Sequence, residues 1–180
     1  MSVAGVPIYR TEIAPDWIDY NGHLRDAYYG LIVSYATDAL MDRVGLDAPY
    51  RERTGCSLYT VEMHIHYLRE VKKTDIAVVT VRIIAADHKR IHAALELVCE
   101  GHSEVAATAE IMLLHVHQGD EVKAQGFPPE VIEALGRVAE EGAVQARAAA
   151  GSAGTAAAQE PPAGEPAIPG SRRMELRSRS

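Results

Sequence analysis

The stretch Trp17-Ile18-Asp19-Tyr20-Asn21-Gly22-His23-Leu24-Arg25-Asp26 concentrates more chemical capability than any other part of this chain. A carboxylate such as Asp19 can attack an electrophilic carbonyl directly, or take a proton from a water molecule as that water attacks. Asn21 can hold the water or the carbonyl. His23 can hydrogen-bond the same oxygen, orient Asp19 or donate to a leaving group. The stretch ends where a helical pattern begins, and a helix start presents unpaired N–H groups and a partial positive charge. Such a terminus attracts a carboxylate, a phosphate or a developing oxyanion, and the amides of residues 26–28 are the donors expected there. The competing structural reading is that Asp19 only caps a turn, as Asp often does.

Those side chains must be positioned by the elements around them. Within residues 27–44, Leu31, Ile32, Tyr35, Ala36, Ala39, Leu40 and Val44 recur at helical spacing, with Asp26 the expected N-cap and Gly45 the expected left-handed stop. Residues 6–13 alternate as a first strand, beginning at an edge because of Pro7 and ended by Pro15. Residues 47–55 are polar, contain Pro49 and Gly55, and read as a loop. Strand patterns follow at 57–70, 76–86, 91–99 and 106–117. In the first of these, Tyr59, Val61, Met63, Ile65 and Tyr67 are expected on one face, and Thr60, Glu62, His64 and His66 on the other. One amphipathic helix can cover only one sheet face, so the order predicts an α+β fold in two layers: an antiparallel sheet curled round one long central helix.

Composition bounds the function. A chain of 180 residues with 47% hydrophobic and 24% charged content suits one ordinary domain. A net charge of −7 argues against nonspecific nucleic-acid binding, which needs a basic surface. No run approaches the roughly 18 apolar residues of a membrane span, and the N-terminus lacks the order of a signal peptide, so a cytoplasmic protein without a membrane partner is expected. Cys56 and Cys99 have no metal or disulfide spacing and read as bystander thiols. The domain is expected over 1–127 and a further helix over 128–150, where Val131, Leu135 and Val138 share a side. Residues 151–180 are rich in Ala, Gly, Pro and Glu with a basic end, and are expected to be disordered for want of apolar residues.

The residues 17–23, followed by Tyr28, Tyr29 and a long helix, resemble the start of hotdog-fold acyl-CoA thioesterases of the 4-hydroxybenzoyl-CoA thioesterase type. The run from Ser34 to Asp42, with Ser57-Leu58-Tyr59-Thr60 and Met112-Leu113-Leu114-His115-Val116, is similar to the narrower betainyl-CoA thioesterase branch found with bacterial carnitine breakdown. The resemblance covers residues 6–127 and implies a hotdog fold, hydrolysis of a small acyl-CoA without a cofactor, and a homodimer or larger assembly with sites at the subunit boundary. It aligns Asp19 and Gly22 with the family's catalytic Asp-x-x-Gly turn. It also makes Glu62 a candidate second carboxylate carried across the boundary, beside Thr60 and His64; the alternative is an ordinary solvent-facing strand. The sequence departs from the family where Asn often stands two residues after the His, since Arg25 is there instead. Arg25 either holds an anionic part of the substrate or is a surface residue.

Aromatic faces attract a quaternary ammonium, so Trp17, Tyr28 and Tyr29 are candidate substrate contacts, with packing of helix on sheet as their alternative role. The nucleotide end of coenzyme A needs cations. Lys89 and Arg90 are the first candidates and Lys72 and Lys73 the next, all equally readable as solvated turn charges. Two rival readings remain. His64, His66 and Glu70, with His115 and His117, have the spacing of a metal-dependent barrel enzyme, although Leu58 and Ala77 occupy the positions where its glycines belong. The other rival is an acyl-CoA-binding hotdog module without catalysis.

Overall fold

The computed structural model describes residues 5–153, so most of the tail expected at 151–180 lies outside the described residues. The elements are β1 (Val6–Glu12), a 3-10 turn (Pro15–Trp17), α1 (Asp26–Arg43), α2 (Ala48–Thr54), β2 (Cys56–Tyr67), β3 (Ile76–Ala86), β4 (Arg90–Cys99), β5 (Val105–Gln118), β6 (Val122–Ala124) and α3 (Pro129–Ala153). The strands form one antiparallel sheet in the order β1-β3-β4-β5-β2, with β6 added alongside β5. The fold is α+β, as expected.

The sheet curls round α1. Tyr29, Ile32, Val33, Ala36, Thr37, Leu40 and Met41 of α1 are buried, within one core that includes Val79, Leu95, Ile111 and Leu113. The buried face is turned by about one residue from the stripe expected: Val33, Thr37 and Met41 are buried, while Leu31 and Ala39 are only partly so. Tyr35, expected in the stripe, is left 40% exposed. The expected N-cap is also corrected. Arg25 is the cap residue, in an extended conformation and without a side-chain bond; Asp26 is the first helical residue, and its Oδ1 accepts the Ala27 N–H at 2.8 Å. Gly45 ends the helix at φ +84, with Leu46 N–H donating to the Met41 carbonyl at 2.9 Å. That is the six-to-one bond of a helix stop that only Gly adopts readily.

Residues 47–55 are not a loop. Asp47 Oδ1 accepts the Tyr50 N–H at 2.9 Å, capping α2, and Gly55 closes it at φ +65. Pro49 sits in the first turn, where a missing N–H leaves no bond unmade, so the signals read as a loop are those of a short helix's two ends. The alternation expected along β2 is broken as well. Thr60 opposes Leu113 on β5 whereas Glu62 opposes Met112, so Val61 is an extra residue. A bulge of this kind reverses the facing of everything beyond it. Thr60 is therefore separated from Glu62 and His64.

α3 packs on β3 and β1, burying Val131, Leu135 and Val138 in the same core as α1. An Arg43 to Glu141 ion pair of 2.6 Å ties α3 to the end of α1.

Candidate active site

The turn holding Asp19 is built from its own backbone. Asp19 N–H donates to the His23 carbonyl at 2.8 Å and Gly22 N–H to the Asp19 carbonyl at 3.1 Å, while Gly22 takes φ +86, a conformation that penalises a side chain. Asp19 Oδ1 accepts the N–H of Asn21 at 2.8 Å and that of His23 at 3.0 Å. These bonds, the His23 amide foremost, hold the Asp19 carboxyl below the usual range against the opposing effect of desolvation, and the Asn21 side chain adds to them. The result is a carboxylate fixed in direction and kept ionised. The structural and chemical readings of Asp19 are thus not exclusive, since the bonds that cap the turn also aim the group.

His23 and Leu24 carry the chain from this turn into a cleft. Leu24 N–H donates to the Val71 carbonyl at 2.7 Å, and His23 pairs with Lys72 as an isolated bridge. Residue 23 is thereby stitched to the segment following β2. His23 Nε2 lies 2.9 Å from Glu70 Oε2. Together with Leu24, Asp26, Tyr29, Tyr67, Leu68 and Arg69 these two line an open cleft of about 330 Å³ at the start of α1. Tyr29 is buried, its ring edge-on to Tyr67 at 5.1 Å, and its hydroxyl donates to the Arg69 carbonyl at 3.4 Å. Burial pushes the Tyr29 phenol up to about 12, so it remains a neutral donor.

Other expected members are placed differently. Trp17 and Tyr28 stack on each other, centroids 5.4 Å apart and planes 18° apart, and both pack against the core. Arg25 Nε donates to the Ile18 carbonyl at 3.2 Å, folding the guanidinium over the turn. The amides expected to form an oxyanion site are partly occupied: Ala27 N–H is taken by Asp26 Oδ1 and Tyr28 N–H by the Arg25 carbonyl at 3.0 Å. Thr60, Glu62 and His64 are exposed on β2, which forms one outer edge of the five-strand path. They do not line the cleft of the same subunit.

Lys89 and Arg90 occupy the β3–β4 turn. Strand β3 begins beside Lys72 and Asp75 and ends at that turn, so at about 3.3 Å per residue they lie roughly 33 Å from the cleft's end of the sheet. Arg90 is engaged there by Asp87, its Nε 2.8 Å from Asp87 Oδ2. Lys72 and Lys73, next after them as candidate cations, are exposed beside His23. Sequence reasoning did not assign Tyr67, Arg69 and Asp26 to the cleft, and treated Glu70 only as a possible metal ligand. The bridge from His23 to Lys72 brings the end of β2 to the turn, and no local pattern announces that pairing.

The paired histidines are not a ligand set. His115 is fully buried, with Nδ1 2.8 Å from the Gln125 carbonyl and Nε2 3.0 Å from the Tyr50 hydroxyl. A carbonyl only accepts, so Nδ1 carries the proton and Nε2 accepts from Tyr50, a fully satisfied core imidazole. His64 and His66 are exposed on β2. Among the described residues no group of three or more His, Cys, Asp and Glu side chains is placed to hold a metal ion.

Residues 13–135 match the family model of the thioesterase-like superfamily. The chain belongs to that superfamily. It is 43% identical over 132 residues to a betainyl-CoA thioesterase of Pseudomonas aeruginosa, covering 73% of this chain and 82% of that one. It is 39% identical over 131 residues to an L-carnitine dehydrogenase/betainyl-CoA thioesterase of Agrobacterium fabrum, covering 71% of this chain and 26% of that longer protein. Among solved structures it is similar to the Staphylococcus aureus protein SAV2348 in complex with CoA, with a TM-score of 0.70 and 27% identity over 78% of this chain and 88% of that one. The hotdog fold and the thioester hydrolase class follow from these likenesses.

Proposed function

We propose that this thioesterase hydrolyses betainyl-CoA to betaine and coenzyme A, a step suited to carnitine breakdown. The observation that carries the reading is Asp19, a carboxylate held ionised by the Asn21 and His23 amides; Asp19 is not itself in the lining, but its His23 partner lines an aromatic and acidic cleft of about 330 Å³. That volume is at the small end of ligand sites and suits a short acyl group. The likeness to relatives named for betainyl-CoA supports the substrate, and the CoA-bound neighbour supports the coenzyme.

In the reaction, one water is consumed and the thioester C–S bond breaks. Asp19 either attacks the carbonyl carbon, giving a mixed anhydride that water then opens, or takes a proton from water as it attacks. In both routes negative charge gathers on the carbonyl oxygen, and the start of α1 faces it with positive potential. His23, oriented by Glu70, is placed to protonate the departing thiolate. No step requires a cofactor. Two copies joined through their β2 edges would complete the site, with the partner's Glu62 and His64 as its far wall and Lys89 and Arg90 available for the nucleotide. The free, buried thiols of Cys56 and Cys99 suit a reducing compartment, which supports a cytoplasmic location.

A thiol-release assay over a panel of acyl-CoA esters tests the reading. Betainyl-CoA is expected to give the highest kcat/KM, ahead of 4-hydroxybenzoyl-CoA. Stabilisation by the esters without any free thiol would contradict it and leave an acyl-CoA-binding module.

A further inference from the structure

We propose that Tyr67 and Glu70, with Tyr29 and Asp26 behind them, recognise the quaternary ammonium head of the acyl group and set the enzyme's preference for a cationic substrate. The inference rests on the betainyl-CoA reading above and names the side chains that would enforce it. A quaternary ammonium has no N–H, so hydrogen bonds cannot select it. What distinguishes it from a neutral tert-butyl group of the same shape is charge alone, read by aromatic faces and nearby carboxylates.

The cleft supplies both. Tyr29 and Tyr67 meet edge to face at 5.1 Å. In that arrangement the edge of one ring meets a single face of the other, and Tyr67 keeps 55% of its surface open while Tyr29 is buried behind it. Asp26 and Glu70 contribute two carboxylates to the same lining. Glu70 lies 2.9 Å from His23 Nε2, and 67% of its side chain is open. Arg69, the guanidinium of the lining, is paired with Glu104. The cleft is therefore net negative and partly aromatic, whereas the stacked Trp17 and Tyr28 each have a face covered by the other.

The test compares two esters that differ only at one atom, betainyl-CoA and 3,3-dimethylbutanoyl-CoA, by thiol release from wild type, Glu70→Gln and Tyr67→Leu. The readout is the ratio of kcat/KM for the cationic ester to that for the neutral one. Because Glu70 also touches His23, absolute rates are expected to move for both esters, and only the ratio reports charge recognition. Each variant is expected to lower that ratio by ~3- to 30-fold, the range of a cation–aromatic or comparable charge contact. Thermal melts check that the exposed replacements leave the fold intact. A ratio unchanged in either variant overturns the proposal, as does a wild type indifferent to the charge of the ester. Wild type that hydrolyses the neutral ester but not betainyl-CoA would instead sink the substrate assignment itself.

Discussion

Asp19 and Asp87 make the same local structure at different places, and the difference between them shows what a residue's surroundings add to its type. Each accepts two backbone amides two to four residues ahead. Asp19 takes those of Asn21 and His23. Asp87 takes those of Lys89 at 2.9 Å and Arg90 at 2.7 Å, and holds the Arg90 guanidinium as well. Burial alone would push the Asp87 carboxyl up, but these bonds outweigh it and hold the group at about 2, from an ordinary 3.8. A carboxyl lowered on folding stabilises the fold above its unfolded pKa, and the contribution disappears as pH falls through the folded value. Wild type should therefore melt above Asp87→Asn from neutrality down to about pH 4, with the gap closing between there and pH 2. A gap that persists undiminished at pH 2 would contradict the assignment. At this scale the sequence was legible for Asp19 and its turn, because Asp, Gly22 and His23 act within four residues of one another. It was misleading for His115, whose partners Tyr50 and Gln125 are remote in the chain.

Elements were legible where their signal is local. β3 runs over the residues its β-branched pattern marks, and α1 stops at Gly45 as expected. The bulge at Val61 was not legible, because it exists only in the register between β2 and β5. The same holds for β6, three exposed residues that are a strand only by leaning on β5. β2 itself pairs with β5 on one side alone and carries exposed Val61 and Tyr67, with Leu68 just beyond its end. An open edge with apolar side chains is a template for another strand. Sedimentation should give a particle of twice the 19.5 kDa chain or a multiple of it, and Val61→Lys should shift it toward the single chain with loss of thiol release. A wild-type protein that is monomeric and fully active would contradict the shared site.

In the whole molecule, the two groups of candidate residues lie at opposite ends of β3. The end at which α1 begins carries Asp19, His23 and the acidic cleft; the β3–β4 turn at the other end carries Lys89 and Arg90. A single subunit cannot bring those ends together, because the length of a strand stands between them. That separation is why sequence proximity marked out the turn, whereas any second half of the site, proposed to come from a second copy, had no local signal. The account stands or falls on Asp19, and the most direct measurement is thiol release from betainyl-CoA by wild type and Asp19→Asn. The Asn oxygen can still accept the two amides that Asp19 Oδ1 holds, so the variant should stay folded, melting at or slightly below wild type, while kcat falls ~10²–10⁴-fold. An Asp19→Asn protein that turns over betainyl-CoA at the wild-type rate would contradict it.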